Sequence, residues 1–262
     1  MCDGENQHDI YSFDNRGSSK PIYYLVFNLK LTIPFCKKTS TAWLLGISVE
    51  EGTKGTGVWS KDGPKGWTVE NDFTKKGADD LPAGLGIEEW TGWSFAKLEW
   101  WVQTAGNQGR ALWKKADGAV AIADPDEWDD EKKDDKSPDD YVKYNSYLRS
   151  PSIDLGAVKA NSVKLAFDSS FRMGKNQDFE LHAAFDGAKP IALMHLTSDD
   201  TTDSIAIMTY HGGKTEKKPT GEAKEANVGF PVNIDIPNPI GAKSMVVTWA
   251  MLMLTTTGGG PS

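Results

Sequence analysis

The sequence predicts an all-β protein built as an antiparallel β-sandwich. From Gly118 onward, short apolar stretches alternate with turn-forming residues, and no helical period is sustained in this part of the chain. Within Val163–Phe167 and Ile205–Ile207, bulky residues alternate with small or charged ones, as a sheet with one buried face requires. Turn formers such as Asp186-Gly187 separate the stretches.

Eight strands are expected in this part of the chain. They share a short apolar pattern bounded by turn residues, and they are Ala119–Ala123, Ser146–Ser150, Val163–Ser169, Phe179–Phe185, Ile191–Leu196, Ser204–Tyr210, Val232–Ile236 and Ser244–Ala250. His211-Gly212-Gly213 and Pro237-Asn238-Pro239 are expected turns. Because Lys214–Ala226 is polar and rich in Lys and Glu, we expect a mobile loop there.

The chain before Gly118 has a different residue pattern. Between Trp59 and Trp113, tryptophans lie among glycines and short extended pieces, and we interpret this segment as the opening part of the same domain, wrapped over one face of the sandwich. Residues 1–45 fit neither pattern and are interpreted as a leader of unassigned status. The sandwich domain is therefore expected to span residues 46–262.

Composition excludes several classes of protein. The 262 residues carry a net charge of -8, and the lysines of Asp129–Asp135 lie among carboxylates, so a nucleic-acid-binding role is not expected. Cys2 and Cys36 both lie near the start of the chain and cannot form a disulfide framework. The apolar run Pro21–Leu29 is shorter than the roughly 20 residues of a membrane span, so none is predicted.

A family resemblance rests on several strings. From Gly55 the chain contains GTGVWSKDGPKGWTVEND, EEWTGWSFAKLEWWVQTAGNQGR, GAVAIADPDEWDD and YNSYLRSPSIDLGAV, followed by ANSVKLAFDSSFR. Together they resemble a jelly-roll β-sandwich module of large secreted bacterial proteins, similar to the cleaved-adhesin and MAM-type sandwiches and often found beside metallophosphoesterase or other hydrolase domains. The resemblance covers roughly residues 50 to 250, and SYLRSPSIDL is its most specific part. It implies a jelly-roll topology, an extracellular or cell-surface location and further domains in a longer parent protein.

The chain departs from that family at its end. Related modules close with an Asn-Asp-Trp-Trp-Trp-Ala-Ile type strand, whereas this chain ends in Met251–Ser262 with three consecutive glycines. Loss of one G from the codons for the family ending turns its three Trp codons into Gly codons. Our hypothesis is that the C-terminus is frameshifted from Leu252, as metagenomic reads can produce, and that the first 45 residues begin at a false start. The nucleotide sequence tests both.

Candidate metal ligands lie in the acidic run that follows the expected strand Ala119–Ala123. Hard oxygen ligands at alternating positions suit Ca²⁺, and Asp124, Asp126 and Asp129 are the candidates. A solvated acidic loop explains the same charges about as well. The resemblance favours a structural Ca²⁺, since related sandwiches commonly carry one near a strand end.

Candidate ligand-binding residues are aromatic or cationic. Most tryptophans are expected in the core, and Trp101 or Trp128 is the one we expect to be exposed, where its ring could stack on a sugar. Arg110 could hold a carboxylate or phosphate through two hydrogen bonds, with internal pairing to Asp168 or Asp154 as the alternative.

Catalytic signatures are absent from the sequence. It contains no Gly-x-Ser-x-Gly, His-Glu-x-x-His, Walker or dinucleotide-binding motif. His182 and His195 fall on adjacent expected strands, where a metal pair competes with ordinary exposed or hydrogen-bonded histidines. His211 could act as a general base, although a simple loop histidine explains it as well.

These features favour a non-catalytic module of a secreted or surface protein, acting in recognition or as a spacer. The expected ligand is a glycan or cell-surface polymer, with Ca²⁺ stabilising the fold. One alternative is a hydrolase of glycans or phosphoesters that uses carboxylates and a histidine on one sheet face. Another is a fragment of a larger secreted hydrolase.

Overall fold

The computed structural model describes residues 24–35, 38–42, 59–61, 63, 66–75, 92–104, 109–116, 119–125, 141–156, 158–172, 177–198, 205–221 and 223–254. Within these residues, fifteen strands form two antiparallel sheets, here called sheet A and sheet B. The predicted all-β sandwich is therefore confirmed. The jelly-roll topology stays a prediction.

Sheet A contains seven strands from distant parts of the chain. They are β1 (Tyr24–Phe35), β2 (Lys38–Ala42), β3 (Trp59–Ser60), β5 (Ser94–Lys97), β6 (Ala119–Ala123), β9 (Val163–Arg172) and β14 (Phe230–Ile236). Their spatial order is β14-β9-β1-β6-β5-β3, and β2 also pairs with β1. β1 thus lies between β9 and β6.

Sheet B contains eight strands. They are β4 (Thr68–Lys75), β7 (Tyr141–Arg149), β8 (Ile153–Asp154), β10 (Gln177–Phe185), β11 (Ile191–Ser198), β12 (Ile205–Tyr210), β13 (Thr215–Pro219) and β15 (Ser244–Leu254). Their order is β13-β12-β11-β10-β15-β7-β4, and the short β8 also pairs with β15. β15 is central, since it pairs with β10 on one side and with β7 on the other.

One hydrophobic core joins the two sheets. Alternate residues of β10 in sheet B and of β14 in sheet A are buried, and they belong to the same cluster. The core is rich in aromatic rings, among them Phe171 of β9, which meets Phe230 edge to face at 5.4 Å. Trp93 links the sheets with its indole N–H, which donates to the Ser146 carbonyl at 3.1 Å.

All eight strands expected from Gly118 onward are present, and β6 has the expected bounds. The Asp186-Gly187 turn is also confirmed. Its residues have φ of 50° and 73°, and the Ala188 N–H donates to the Phe185 carbonyl across them at 2.8 Å. Asp and Gly adopt such a left-handed conformation more readily than other residues do.

The prediction of a mobile loop over Lys214–Ala226 is wrong. This segment contains β13 and a short helix, α2 (Glu225–Val228). β13 is the edge strand of sheet B, and its lysines and Pro219 are the residue types that protect sheet edges from further pairing. Lys218 also places its Nζ 4.7 Å from the ring centroid of Phe230. An edge strand of this kind lacks the apolar alternation that identified the inner strands.

Two further helical elements lie between Trp59 and Trp113, a segment expected to contain only short extended pieces. They are α1 (Leu98–Thr104) and a single 3-10 turn at Arg110–Leu112. The same segment also supplies β3 and β5 to sheet A and β4 to sheet B. None of the helices in the described part of the chain is long and apolar enough to cross a bilayer.

The boundary expected at residue 45 falls outside the described residues and stays a prediction. β1 and β2 lie within the expected leader, yet they are strands of sheet A, and β1 pairs with β9 and β6 of the sandwich. Met251–Leu254 form the end of β15. The frameshift hypothesis concerns the codons for these residues and also stays a prediction.

Candidate functional site

Three of the predicted site residues contact one another in the interior. The Trp101 indole N–H donates to Asp124 Oδ2 at 2.8 Å, and Arg110 Nη2 donates to the same oxygen at 2.9 Å. The guanidinium of Arg110 lies 5.3 Å from the ring centroid of Trp101. All three side chains are fully buried, so α1, the Arg110–Leu112 turn and the end of β6 are joined by one charged cluster.

The expected exposure of Trp101 is therefore wrong. Of the adjacent pair in α1, Trp101 points into the core and Trp100 is the half-buried member. Successive side chains of a helix point about 100° apart, so the sequence of the pair alone does not tell which one is buried. The indole N–H needs a partner in the interior, and Asp124 provides it.

Arg110 forms an internal ion pair, but with Asp124 in place of the two partners considered from the sequence. Asp168 instead pairs with Lys115 at 3.0 Å, and Asp154 Oδ1 accepts the backbone N–H of Gly156 at 2.8 Å. A buried charge is tolerated only with an opposite charge and hydrogen bonds close by. The Arg110–Asp124 pair meets that condition, with both side chains 0% exposed.

Tyr144 lies close enough to this cluster for the charge of Asp124 to change the pKa of its phenol. The phenol is buried, and burial raises its pKa well above the usual value. The negative charge of Asp124 raises the pKa further, while a hydrogen bond from the backbone of Gly92 opposes both effects. The phenol therefore stays protonated, and the ring stacks on Phe73 at 4.9 Å as part of the core.

The remaining predicted site residues, Asp126, Trp128 and Asp129, lie outside the described residues. Asp124 Oδ2 already accepts two hydrogen bonds within the protein. In the described ranges, no group of three or more His, Cys, Asp or Glu is arranged to hold a metal ion. The Ca²⁺ site stays a prediction.

A second group of functional side chains lies on the solvent-facing side of sheet B. Because β10 alternates buried and half-buried residues, Asp178, Glu180 and His182 share the side that points away from the core. The strand register places His195 of β11 opposite Glu180. We call this side the outer face of sheet B; its members used below are Glu70, Asp72, Tyr147, Arg149, Asp178, Glu180, His182, His195, Lys217 and Ala250.

Two histidine–carboxylate pairs occupy the middle of the outer face. His182 Nε2 lies 3.2 Å from Glu180 Oε2, and His195 Nε2 lies 3.3 Å from Asp178 Oδ1. Their side chains keep between 26% and 48% of their exposure, so they are partly accessible to solvent, although the His195 Nε2 atom itself is buried. His211, considered as a general base, instead places Nδ1 3.0 Å from the Ala192 carbonyl in an exposed turn.

An aromatic ring lies two strands away from those pairs. Ala250 of β15 is opposite both Glu180 of β10 and Tyr147 of β7, and Tyr147 is opposite Glu70 of β4. Arg149 forms an ion pair with Glu70, and its guanidinium lies 5.7 Å from the centroid of the Tyr147 ring. Ala250 is fully buried, so the larger side chains on either side of it cover this point of the face.

Sequence reasoning identified the two histidines on adjacent strands but did not include the carboxylates beside them. The signal was available in Asp178–Phe185, where Phe179, Leu181, Ala183 and Phe185 are apolar and alternate with Asp178, Glu180 and His182. Tyr147 and Glu70 gave no such signal, because only strand pairing brings them together.

Comparison with known proteins adds no relative. The chain matches no protein-family model, no curated protein and no solved structure. The resemblance to cleaved-adhesin and MAM-type sandwiches therefore remains an expectation from the sequence.

Proposed function

We propose that this chain is a non-catalytic recognition module of a secreted or surface protein and that the outer face of sheet B binds a glycan. The observation that carries the proposal is the row Glu70, Tyr147, Ala250, Glu180 and His195. It sets hydrogen-bonding side chains on both sides of an aromatic ring, across five neighbouring strands.

The chemistry of this row suits a sugar polymer. Pyranose rings present apolar faces that stack on aromatic side chains, and their hydroxyl groups hydrogen-bond to carboxylates and imidazoles. The Arg149 guanidinium lies over the Tyr147 ring and pairs with Glu70, which supports the ring in one orientation.

The second candidate function is that of a hydrolase. Asp178, Glu180, His182 and His195 lie on one sheet face, and histidines paired with carboxylates are common general acids and bases. We favour recognition, because these pairs lie partly exposed on a sheet face, whereas active sites are usually concave.

Binding to a panel of soluble polysaccharides, measured by affinity electrophoresis and calorimetry, tests the proposal. We expect Tyr147→Ala to weaken binding by about 10-fold, since stacking on an aromatic ring contributes about 1 kcal/mol or more. Tyr147→Phe, which keeps the ring, is the matched control and should bind like the wild type. If no polysaccharide binds, or if Tyr147→Ala binds as tightly as the wild type, the outer face is not the binding surface.

The same panel of polysaccharides distinguishes a hydrolase from a non-catalytic recognition module. Release of reducing ends that is lost in Glu180→Gln would establish catalysis at this face and replace the recognition proposal.

The acidic segment after β6 remains our proposed Ca²⁺ site. Because Asp124 Oδ2 is engaged by Arg110 and Trp101, the ligands would come mainly from residues such as Asp126 and Asp129. Thermal unfolding in Ca²⁺ and in EDTA tests this, since a ligand bound only by the folded state raises the midpoint. An unchanged midpoint would leave the segment as solvated charge.

A further inference from the structure

The outer face of sheet B has an uneven balance of charge. Among the members named above, four are carboxylates and two are permanent cations, and these are Glu70, Asp72, Asp178, Glu180, Arg149 and Lys217. With the imidazoles uncharged, this described group is therefore net negative. Its single aromatic ring in the described row, Tyr147, lies inside this negative region.

The carboxylates differ in their partners. Glu70 pairs with the guanidinium of Arg149, whereas Asp178 and Glu180 lie against imidazoles. An imidazole carries a full charge only when protonated, so it compensates a carboxylate less than a guanidinium does. The middle of the face is where a ligand cation would gain most.

The distance from the ring to these carboxylates fits a sugar chain. Tyr147 and Glu180 are two strands apart in the same row, which corresponds to about 9.6 Å at the usual strand spacing. A chain with one sugar stacked on Tyr147 would therefore bring the amino group of a sugar further along the chain near Glu180.

We infer that the glycan bound by this face carries free amino groups, as in polymers of 2-amino-2-deoxy sugars. The inference rests on the proposed function and names its ligand class. Ammonium groups form charge-assisted hydrogen bonds with Asp178 and Glu180 while a sugar ring stacks on Tyr147. An anionic glycan meets net repulsion, and an N-acetylated glycan lacks the ammonium that pairs with the carboxylates.

Calorimetry with three β-1,4-linked hexasaccharides tests the inference on the full chain. The probes are the glucosamine hexamer, its fully N-acetylated form and the glucose hexamer. We expect the glucosamine hexamer to bind about 10-fold more tightly than either neutral form, with the difference shrinking in high salt. Glu180→Gln and Asp178→Asn should each remove most of that difference.

The matched control is Asp235→Asn, which removes one carboxylate from an exposed ion pair with Lys164 in sheet A. It should leave all three affinities unchanged. If it weakens glucosamine binding as much as Glu180→Gln does, the binding is general attraction to a chain of net charge -8, and the inference is overturned.

The remaining outcomes distinguish failure of the amino-sugar inference from failure of the proposed recognition function. Equal or tighter binding of a neutral hexamer through Tyr147 would overturn the amino-sugar inference and leave the recognition function standing. Lack of binding by these hexamers and by every polysaccharide of the panel would overturn both.

Discussion

β6 in sheet A and β10 in sheet B are both inner strands, yet they differ in what covers them. All five residues of β6 are buried, because other parts of the chain cover both of its sides. β10 buries every second residue and keeps the others half-buried. The same charged residue types therefore have different roles in the two regions. Beside β6, Asp124 is a structural ion-pair partner, and on β10, Asp178 and Glu180 are accessible to a ligand.

The largest expected effect comes from breaking the buried pair beside β6. Asp124→Ala should lower the free energy of unfolding by about 3 to 5 kcal/mol, because it leaves the Arg110 charge buried without its counter-ion. Urea denaturation measures the loss. Asp168→Ala, which breaks the exposed pair with Lys115, is the control and should cost at most about 1 kcal/mol. Equal losses in the two variants would mean that burial does not distinguish these pairs.

A smaller effect is expected where α2 meets sheet A. Gly229 has a φ of 98°, and a Cβ at this position would collide with the Trp113 ring and approach the Ser169 carbonyl. Gly229→Ala should cost about 2 to 4 kcal/mol, from backbone strain and from displacing the ring.

The control for this variant also has a positive φ but lacks the collision. Gly187→Ala in the turn after β10 has a φ of 73° and open space around the new Cβ, so only about 1 kcal/mol should be lost. Thermal or urea unfolding of both variants measures how much more the crowded position costs. If Gly187→Ala cost as much as Gly229→Ala, contact with Trp113 would not be the cause.

The smallest effect concerns an exposed carboxylate at the end of β10. Asp186 accepts hydrogen bonds from the backbone N–H groups of Ser244 and Lys243, which lower its pKa below the usual 3.8. A lowered pKa in the folded state stabilises the fold above pH 3.8 and loses that contribution as the pH falls through the folded-state pKa. Asp186→Asn should therefore lose less stability than the wild type between pH 4 and pH 2, seen as a flatter change in urea midpoint.

Asp186 and Asp124 also differ in the groups that stabilise their carboxylates. Asp186 is stabilised by backbone donors in solvent, whereas Asp124 is held by a buried guanidinium. Identical acid profiles for the wild type and Asp186→Asn would show that these backbone hydrogen bonds do not favour the ionised form.

The strands after Gly118 were largely predictable, whereas the strands before it and the partners of the site residues were not. Alternation of apolar residues located β6, β9, β10 and β15, because a buried face imposes its period on the sequence. β13 was missed, because an edge strand with Lys217 and Pro219 has little apolar face. The sequence singled out Trp101, Arg110 and Asp124 for three separate reasons, but not their contact across 14 and 23 positions of chain.

By itself, the sequence determined the fold class, most of the strands of the second half and the turns between them, because these depend on local periodicity and backbone preference. Only the tertiary structure decided which side chains are accessible. Covering both sides of β6 made Asp124 and Arg110 part of the interior, and the pairing of β10, β15 and β7 brought Glu180 and Tyr147 into one row. Burial and register are properties of the assembled sheets, since each depends on residues that are remote in the chain.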